Sequence, residues 1–238
     1  MTRPASYDKQ PFVPVGPESA CEVGWAPILE RLQGLRSRSR WVLAVECYPG
    51  VHVDEVRRVL TDGLRPALVV DARQAYKDAA EVERLCAPFL GDDPVFGRMN
   101  GLSVADFVDA SRAAVQRGRI DKAPTGLVLV VGTGAALLAE PDVLVYADLA
   151  RWEIQLRQRR NEVASLGAHD QKERPGKLYK RGFFVDWRAA DRLKRTLFDR
   201  IDYLLDTNEA GSPKLIEGDD FRRGLAAAAR RPFRVVPF

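Results

Sequence analysis

The chain has 238 residues, of which 46% are hydrophobic and 29% charged, with 37 Lys and Arg against 33 Asp and Glu. Such a chain is long enough to bury a sizeable core, so one large α/β domain is expected and a second independent domain is not. No apolar run approaches the roughly 20 residues of a membrane span, which excludes a transmembrane protein. The formal net charge of +4 favours anionic partners.

The cysteines, the histidines and the N-terminal residues limit the kinds of metal site, disulfide and cellular location that are expected. Three widely spaced cysteines and two histidines predict neither a disulfide framework nor a zinc cluster, so no metal and no cofactor are expected. The N-terminus MTRPASYDKQ lacks the apolar segment of a signal peptide, and a cytoplasmic location is expected. The chain shows no recognisable nucleic-acid module, so phosphorylated small molecules are better candidate partners than nucleic acid, and no membrane partner is expected.

The predicted elements follow a proline-rich start. Residues 1–24 are predicted to form an extended arm, and residues 25–238 a single domain. Short β-branched runs then alternate with amphipathic stretches: Trp41–Glu46, Ala67–Asp71, Leu127–Val131, Val143–Asp148, Ile201–Asp206 and Lys214–Glu217. This alternation predicts a mostly parallel sheet flanked by helices, in a three-layer α/β/α fold. The third run is apolar throughout, so that strand should be central and buried on both faces.

The first predicted strand ends at an unusual junction. Glu46 is followed by Cys47-Tyr48-Pro49-Gly50, and a helix-like run extends from His52 to Leu60. A phosphate-binding loop occupies this position in P-loop kinases, but the motif GxxxxGK[ST], with its lysine and its hydroxyl residue, is missing. Only Gly50 offers an easy positive φ. The junction therefore lacks the phosphate and Mg²⁺ contacts of a P-loop.

Two later segments have helical periodicity. The first has an apolar stripe: Leu149, Trp152, Leu156 and Val163. Glu153 and Arg157 are predicted on its exposed side, while Arg159 and Arg160 flank the stripe and either reach a cleft or lie over the core. The second segment has an aromatic stripe that is predicted to be core: Tyr179, Phe183, Trp187, Ala190, Leu193 and Leu197.

The candidate functional residues lie at the ends of the predicted strands, because open α/β sheets bind ligands at the carboxyl ends of their strands. Glu46 and Asp71 close the first two strands; they are candidate acids for metal binding or proton transfer, or else strand ends at the solvent boundary. Gly132-Thr133-Gly134 precedes the short run Ala135–Ala139, so its N–H groups are a candidate anion site. The alternative is a tight turn that uses glycine for packing. Asp148 is expected to cap the helix that follows it.

The order of these pieces resembles the uridine-kinase-like members of the P-loop nucleoside kinase superfamily, over roughly Trp41 to Asn208. In that family the first strand feeds the phosphate loop, a later apolar strand ends in an acidic residue followed by glycine, and the next strand leads into an arginine-bearing lid helix. Here VLVVGTGAALL (128–138) has Thr133 where the acid would be, and VLVYADLARWEIQLRQRRNE (143–162) is similar to the strand and lid. The resemblance therefore lacks both the phosphate-loop lysine and the strand-end acid.

A second resemblance extends over nearly the whole chain. Its phrases are YDKQPFVPV (7–15), GW (24–25), ECYPG (46–50), APFLGDDPVFG (87–97), YADLARWEIQLRQRRNE (146–162), FFVDWRAADRLK (183–194), LFDRIDYLLDTN (197–208) and RPFRVVPF (231–238). They resemble the N-terminal region of long bacterial class I mannose-6-phosphate isomerases, in which this region precedes a cupin module that carries the zinc-dependent isomerase. No cupin cluster of histidine and glutamate occurs in these residues, so isomerase activity is not expected of them.

The two resemblances together predict a non-catalytic or degenerate kinase-like domain, an accessory or ligand-binding module of sugar-phosphate metabolism. With lysine and metal anchors missing, arginines bind an anion but transfer phosphate poorly. The expected ligand is a phosphorylated sugar or a nucleotide, held by Gly132, Thr133 and Gly134 together with Arg159 and Arg160.

Two other hypotheses stay open. One is an active sugar or nucleoside kinase in which Glu46 or Asp71 serves as base or metal ligand, Lys180 and Arg181 replace the missing charges, and ATP and Mg²⁺ are required. The other is a purely structural module that docks a cupin isomerase module through the proline-rich arm and the segment Arg231–Phe238.

Overall fold

The computed structural model describes residues 13, 15–16, 20–35 and 39–230 of the chain. Most of the predicted N-terminal arm and the predicted docking segment Arg231–Phe238 lie outside these residues. The end of the arm, Cys21–Val23, forms a strand that was not predicted.

Strands and helices alternate along this part of the chain. The strands are β1 (Cys21–Val23), β2 (Arg40–Cys47), β3 (Leu68–Asp71), β4 (Gly126–Gly132), β5 (Val143–Asp148), β6 (Tyr203–Asp206) and β7 (Lys214–Glu217). The α-helices are α1 (Trp25–Gly34), α2 (Val53–Leu64), α3 (Ala79–Leu90), α4 (Ala110–Asp121), α5 (Ala135–Leu138), α6 (Arg151–Arg159), α7 (Pro175–Arg181), α8 (Trp187–Leu197) and α9 (Gly218–Ala229). Within the described residues, no helix has both the length and the apolar character needed to cross a membrane.

The strands form one sheet in the order β1-β7-β6-β5-β2-β4-β3. The five strands from β6 to β3 run parallel, and β7 and β1 extend the sheet with antiparallel pairings. All six predicted strands are present, and their ends differ from the prediction by no more than two residues. The predicted α/β fold with a mostly parallel sheet between helices is therefore confirmed.

β4 shows why helices cover both faces of this sheet. Leu127, Leu129 and Val131 pack into one apolar cluster with side chains of α1, α2 and α8. Val128 and Val130 pack into a second cluster with side chains of α4 and α5. Successive side chains of a strand point to opposite faces, so an unbroken apolar run requires cover on both. The strand is buried as predicted, but it lies second from one edge of the sheet and not at the centre.

The predicted apolar stripe is only partly correct: Leu149 and Val163, which lie outside α6, are buried as predicted, but the stripe does not hold within the helix. Trp152 has 61% of its surface exposed, and the buried residues of the helix are Ile154, Arg157 and Gln158. Arg157 was predicted on the exposed side, yet only 1% of its side chain is exposed. Helical spacing shows which residues share a face, but contacts with the rest of the fold decide which face turns inward.

The aromatic stripe of the second segment is interrupted. The π-helical turn Gly182–Asp186 joins α7 to α8 and changes the helical repeat between them. Trp187 and Leu193, after this turn, are buried as predicted, whereas Tyr179, before it, is 41% exposed. The ring of Tyr179 packs edge-on against Trp187, with centroids 5.5 Å apart. The predicted core stripe is therefore correct for α8 and only partly correct for α7.

Candidate functional site

A cavity of about 820 Å³ lies at the carboxyl ends of β2, β3 and β4. Its walls come from residues 48–55 after β2, residues 73 and 76–79 after β3, Arg112 on α4, Thr133 after β4, residues 161–169 and 171 between α6 and α7, and Ala210. Open α/β sheets bind ligands at the carboxyl ends of their strands, and the volume is typical of a small-molecule site.

The ECYPG junction forms one wall of this cavity, and its glycine serves close packing. Gly50 has φ +105°, and a Cβ there would lie 2.8 Å from Ile154 Cγ1. Arg157 Nη1 donates a hydrogen bond of 3.0 Å to the Gly50 carbonyl oxygen, and Nη2 donates to the carbonyl oxygen of Thr207. The positive φ of Gly50 therefore lets the junction pack directly on α6. This role in packing is consistent with the absence of the P-loop motif from the junction.

Glu46 occupies the turn that was predicted to bind an anion. Its side chain is 1% exposed. One carboxylate oxygen accepts the N–H of Gly134 at 2.6 Å, and the other accepts the N–H of Ala136 at 2.9 Å. Burial raises the pKa of Glu46 to about 7, although the two backbone hydrogen bonds act in the opposite direction. The carboxylate at this turn thus belongs to the chain itself, and Glu46 is not among the residues that line the cavity.

Thr133 is the residue of this turn that does line the cavity. Its hydroxyl donates a hydrogen bond of 2.7 Å to the Cys47 carbonyl oxygen, and its own carbonyl oxygen accepts one of 2.7 Å from the Tyr76 hydroxyl. These bonds tie the end of β4 to the end of β2 and to the segment after β3. Thr133 is therefore a fixed part of the cavity floor.

Asp71, the other candidate acid, is held by arginine. Arg73 Nε donates to both of its carboxylate oxygens, at 3.0 and 3.1 Å, and Arg57 Nε lies 3.7 Å away. Arg73 also binds Asp54 at 2.5 Å, and this hydrogen bond lowers the pKa of Asp54 to about 2. Within the described residues, no group of three or more His, Cys, Asp and Glu side chains is placed to hold a metal ion. Asp71 lies beside the cavity and does not line it.

The family match comes from residues 24–230, which fit the family described as Domain of unknown function (DUF8485). The chain belongs to this family. No curated protein matches it. The resemblances to P-loop kinases and to isomerase N-terminal regions therefore stay predictions, and the chemistry of this DUF8485 chain has to be inferred from its geometry.

Arg159 and Arg160 are not among the residues that line the cavity, whereas Thr133 is. The guanidinium of Arg159 is exposed and lies over the Trp152 ring, 5.4 Å from its centroid. Arg160 pairs with Glu162 at 2.7 Å and with Glu153 at 2.9 Å. The structure therefore does not bring the two predicted anion ligands together with the glycine turn.

Lys180 and Arg181 also lie outside the cavity wall, and both are buried. Lys180 donates to the main-chain carbonyl oxygen of Asp93. Arg181 Nη2 donates a hydrogen bond of 2.7 Å to the Leu166 carbonyl oxygen, and its Nε lies 3.5 Å from Asp186. Burial raises the pKa of Asp186 to about 6 despite this arginine. Both cations therefore hold main-chain segments in place.

The cations that do line the cavity were not predicted. Arg73, Lys77 and Arg112 surround the segment after β3, and Arg112 Nη1 donates a hydrogen bond of 2.8 Å to the carbonyl oxygen of Tyr76. Arg112 also pairs with Asp78 at 2.7 Å. For Arg73 and Lys77 the signal was the strand end at Asp71, because residues just after it had to lie at the ligand-binding edge of the sheet. Arg112 lies on α4, far from any predicted strand end, and had no such signal.

A histidine and a carboxylate form another part of the wall. His52 Nε2 lies 3.4 Å from a carboxylate oxygen of Glu162. Burial lowers the pKa of His52, and the positive charge of Arg157 lowers it further. The cavity therefore offers cations after β3 and an imidazole with a carboxylate near the start of α2.

Proposed function

We propose that this chain is a kinase-like module that binds a phosphorylated small molecule, a sugar phosphate or a nucleotide, without transferring phosphate. The observation that carries this proposal is Lys77, a cation with no carboxylate partner among the described residues, in a cavity of about 820 Å³ at the carboxyl ends of β2, β3 and β4. Arg73 and Arg112 also line this cavity, each paired with a carboxylate. Such a cavity is large enough for a ligand that extends well beyond its phosphate.

Lys77 is the cation best placed to bind the phosphate. Its ammonium donates a hydrogen bond of 2.6 Å to the main-chain carbonyl oxygen of Asp106. Among the described residues it has no carboxylate partner, whereas Arg73 pairs with Asp54 and Asp71 and Arg112 pairs with Asp78. An ammonium group has three donors, so Lys77 can bind phosphate and keep its existing bond.

The surroundings of the two candidate acids support binding without catalysis. A general base has to come within hydrogen-bond reach of the proton that it removes. Glu46 is buried against the N–H groups of Gly134 and Ala136, and Asp71 is held by Arg73. The rival kinase hypothesis assigned base or metal roles to these two carboxylates, and ATP turnover with a sugar and nucleoside panel in Mg²⁺ is therefore expected to be absent.

Isothermal titration calorimetry with mannose 6-phosphate and with ATP tests the proposal. At least one of the two should bind saturably, and Lys77→Ala should weaken it by about tenfold to a hundredfold, the usual effect of losing a hydrogen bond to a charged group. Arg159→Ala is the matched control, because it removes an exposed cation outside the cavity and should leave the affinity unchanged within about twofold. Absence of saturable binding, or equal effects of the two variants, contradicts the proposal.

Association with a cupin isomerase in the cytoplasm is part of the same proposal. It rests on the resemblance to isomerase N-terminal regions. The proposal includes no nucleic-acid partner and no membrane partner. Co-elution of the full chain with a cupin isomerase polypeptide in size-exclusion chromatography is the expected result, and separate elution at concentrations of about 10 μM argues against a stable complex.

A further inference from the structure

One part of the cavity wall carries buried polar atoms without a hydrogen-bond partner. Ser165 is 7% exposed and lines the cavity, as does Gln171. In the described part of the chain, neither the Ser165 hydroxyl nor the Gln171 Oε1 atom has a hydrogen-bond partner. Buried polar groups are usually paired, because an unpaired group loses its hydration without compensation. These two atoms therefore need an explanation.

Ser165 is held in place by its neighbours. Its own N–H donates a hydrogen bond of 2.8 Å to Asp170, and the N–H of Leu166 donates one of 3.1 Å to Asp186. Arg181 Nη2 donates to the Leu166 carbonyl oxygen at 2.7 Å. Side chains that bind a ligand work best when a supporting layer fixes them, and Arg181 with Asp186 provides such a layer under Ser165.

The aromatic side chains of the wall are poorly placed for stacking on a base. Tyr48 is 4% exposed and its hydroxyl donates to Asp191 at 2.8 Å, while Tyr76 is 8% exposed and bonded to Thr133. The wall instead includes Glu162, Ser165 and Gln171, whose side chains carry oxygen atoms. Carboxylate, amide and hydroxyl oxygens accept hydrogen bonds from hydroxyl donors.

We propose that the ligand is a phosphorylated polyhydroxy compound whose phosphate binds at Lys77 and whose hydroxyl groups bind the Ser165 hydroxyl and the Gln171 side-chain oxygen after these two side chains, which the structure shows covered, turn into the cavity. This inference rests on the proposed function and narrows it from phosphorylated small molecules to sugar phosphates. Nucleotides are the alternative occupants of the same cavity, and the test separates the two.

The experiment compares glucose 6-phosphate and mannose 6-phosphate with free glucose, inorganic phosphate and ATP, by calorimetry on the full chain. At least one hexose phosphate should bind about tenfold or more tightly than inorganic phosphate, glucose or ATP. Ser165→Ala should weaken hexose phosphate about fivefold or more and leave inorganic phosphate unchanged, because only the sugar contacts the hydroxyl. Lys77→Ala should weaken the binding of hexose phosphate and of inorganic phosphate alike.

Thermal unfolding separates a binding role of Ser165 from a structural one. Removal of an unpartnered buried hydroxyl should leave the melting temperature of Ser165→Ala unchanged or raised, whereas loss of a structural bond would lower it. Ser39→Ala, at the opposite end of β2, is the control and should change neither affinity nor melting temperature.

The outcomes distinguish this inference from the function on which it rests. If ATP binds more tightly than both hexose phosphates, or if Ser165→Ala leaves hexose phosphate binding unchanged, the cavity is a phosphate-ligand site but the sugar assignment is wrong. If no probe binds, the proposed function fails as well.

Discussion

The buried Glu46 predicts a pH dependence of stability that a single substitution should remove. Glu46→Gln keeps the shape of the side chain and one oxygen that accepts an N–H. Its amide NH₂ faces the second donor of the pair Gly134 and Ala136, which adds a cost of about 1–3 kcal/mol that does not depend on pH. The pH-dependent part of the difference between the two proteins then comes from ionisation of Glu46 alone.

The magnitude follows from the pKa of the buried carboxyl. Each tenfold change in an ionisation constant corresponds to about 1.4 kcal/mol. Because the pKa of Glu46 rises from 4.5 to about 7 on folding, the free energy of unfolding is about 3 kcal/mol lower when Glu46 is ionised than when it is protonated. The folded chain holds this proton more tightly than the unfolded chain does. The stabilisation from protonated Glu46 is therefore complete below about pH 4.5 and is lost as the pH rises to about 7.

Urea denaturation followed by tryptophan fluorescence at pH 5, 6, 7 and 8 measures this effect. The free energy of unfolding of the natural chain, minus that of Glu46→Gln, should fall by about 2–3 kcal/mol from pH 5 to pH 8. Asp186, with a raised pKa, and His52, with a lowered one, titrate in both proteins, so their contributions cancel in the difference. A difference that stays constant within about 0.5 kcal/mol over this range would refute the reasoning.

Two further substitutions test the packing of the ECYPG junction against α6, again by urea denaturation. Gly50→Ala should destabilise the chain by about 2–4 kcal/mol, because the positive φ and the contact with Ile154 both oppose a Cβ. Gly101→Ala, where a Cβ meets no atom within 4 Å, should stay within about 0.5 kcal/mol, and equal effects would contradict the packing argument. Arg157→Ala should cost about 3 kcal/mol or more because it leaves buried carbonyl oxygens unpaired, whereas Arg159→Ala on the same helix should cost less than about 1 kcal/mol.

Local patterns were enough to predict six of the seven strands in the described part of the chain. Val143–Asp148 and Lys214–Glu217 match their predicted bounds, and the apolar run at Leu127–Val131 forms a strand buried on both faces. A strand depends on side-chain preferences within a few residues, and the alternation of strands with helices leads to a parallel sheet. The carboxyl edge of this sheet was for the same reason the right place to expect a cavity.

The contents of that cavity depend on contacts between distant parts of the chain. Glu46 and Gly134 are 88 positions apart, and their hydrogen bond places a buried carboxylate at the turn where a ligand anion was predicted. Arg157 was predicted on the exposed side of its helix, but its side chain turns inward and donates a hydrogen bond to the Gly50 carbonyl oxygen. Periodicity along one helix carries no information about such a partner.

Local propensity and hydrophobic pattern are thus enough to predict the α/β architecture, six strands of the sheet and the edge at which ligands are expected. Which charged side chains meet at that edge depends on contacts made in the folded chain. The tertiary structure buries Glu46, Lys180 and Arg181 as internal partners of the main chain and leaves Lys77 and Ser165 on the cavity wall. Most buried polar groups are hydrogen-bonded, and the folded backbone determines which partners are within reach.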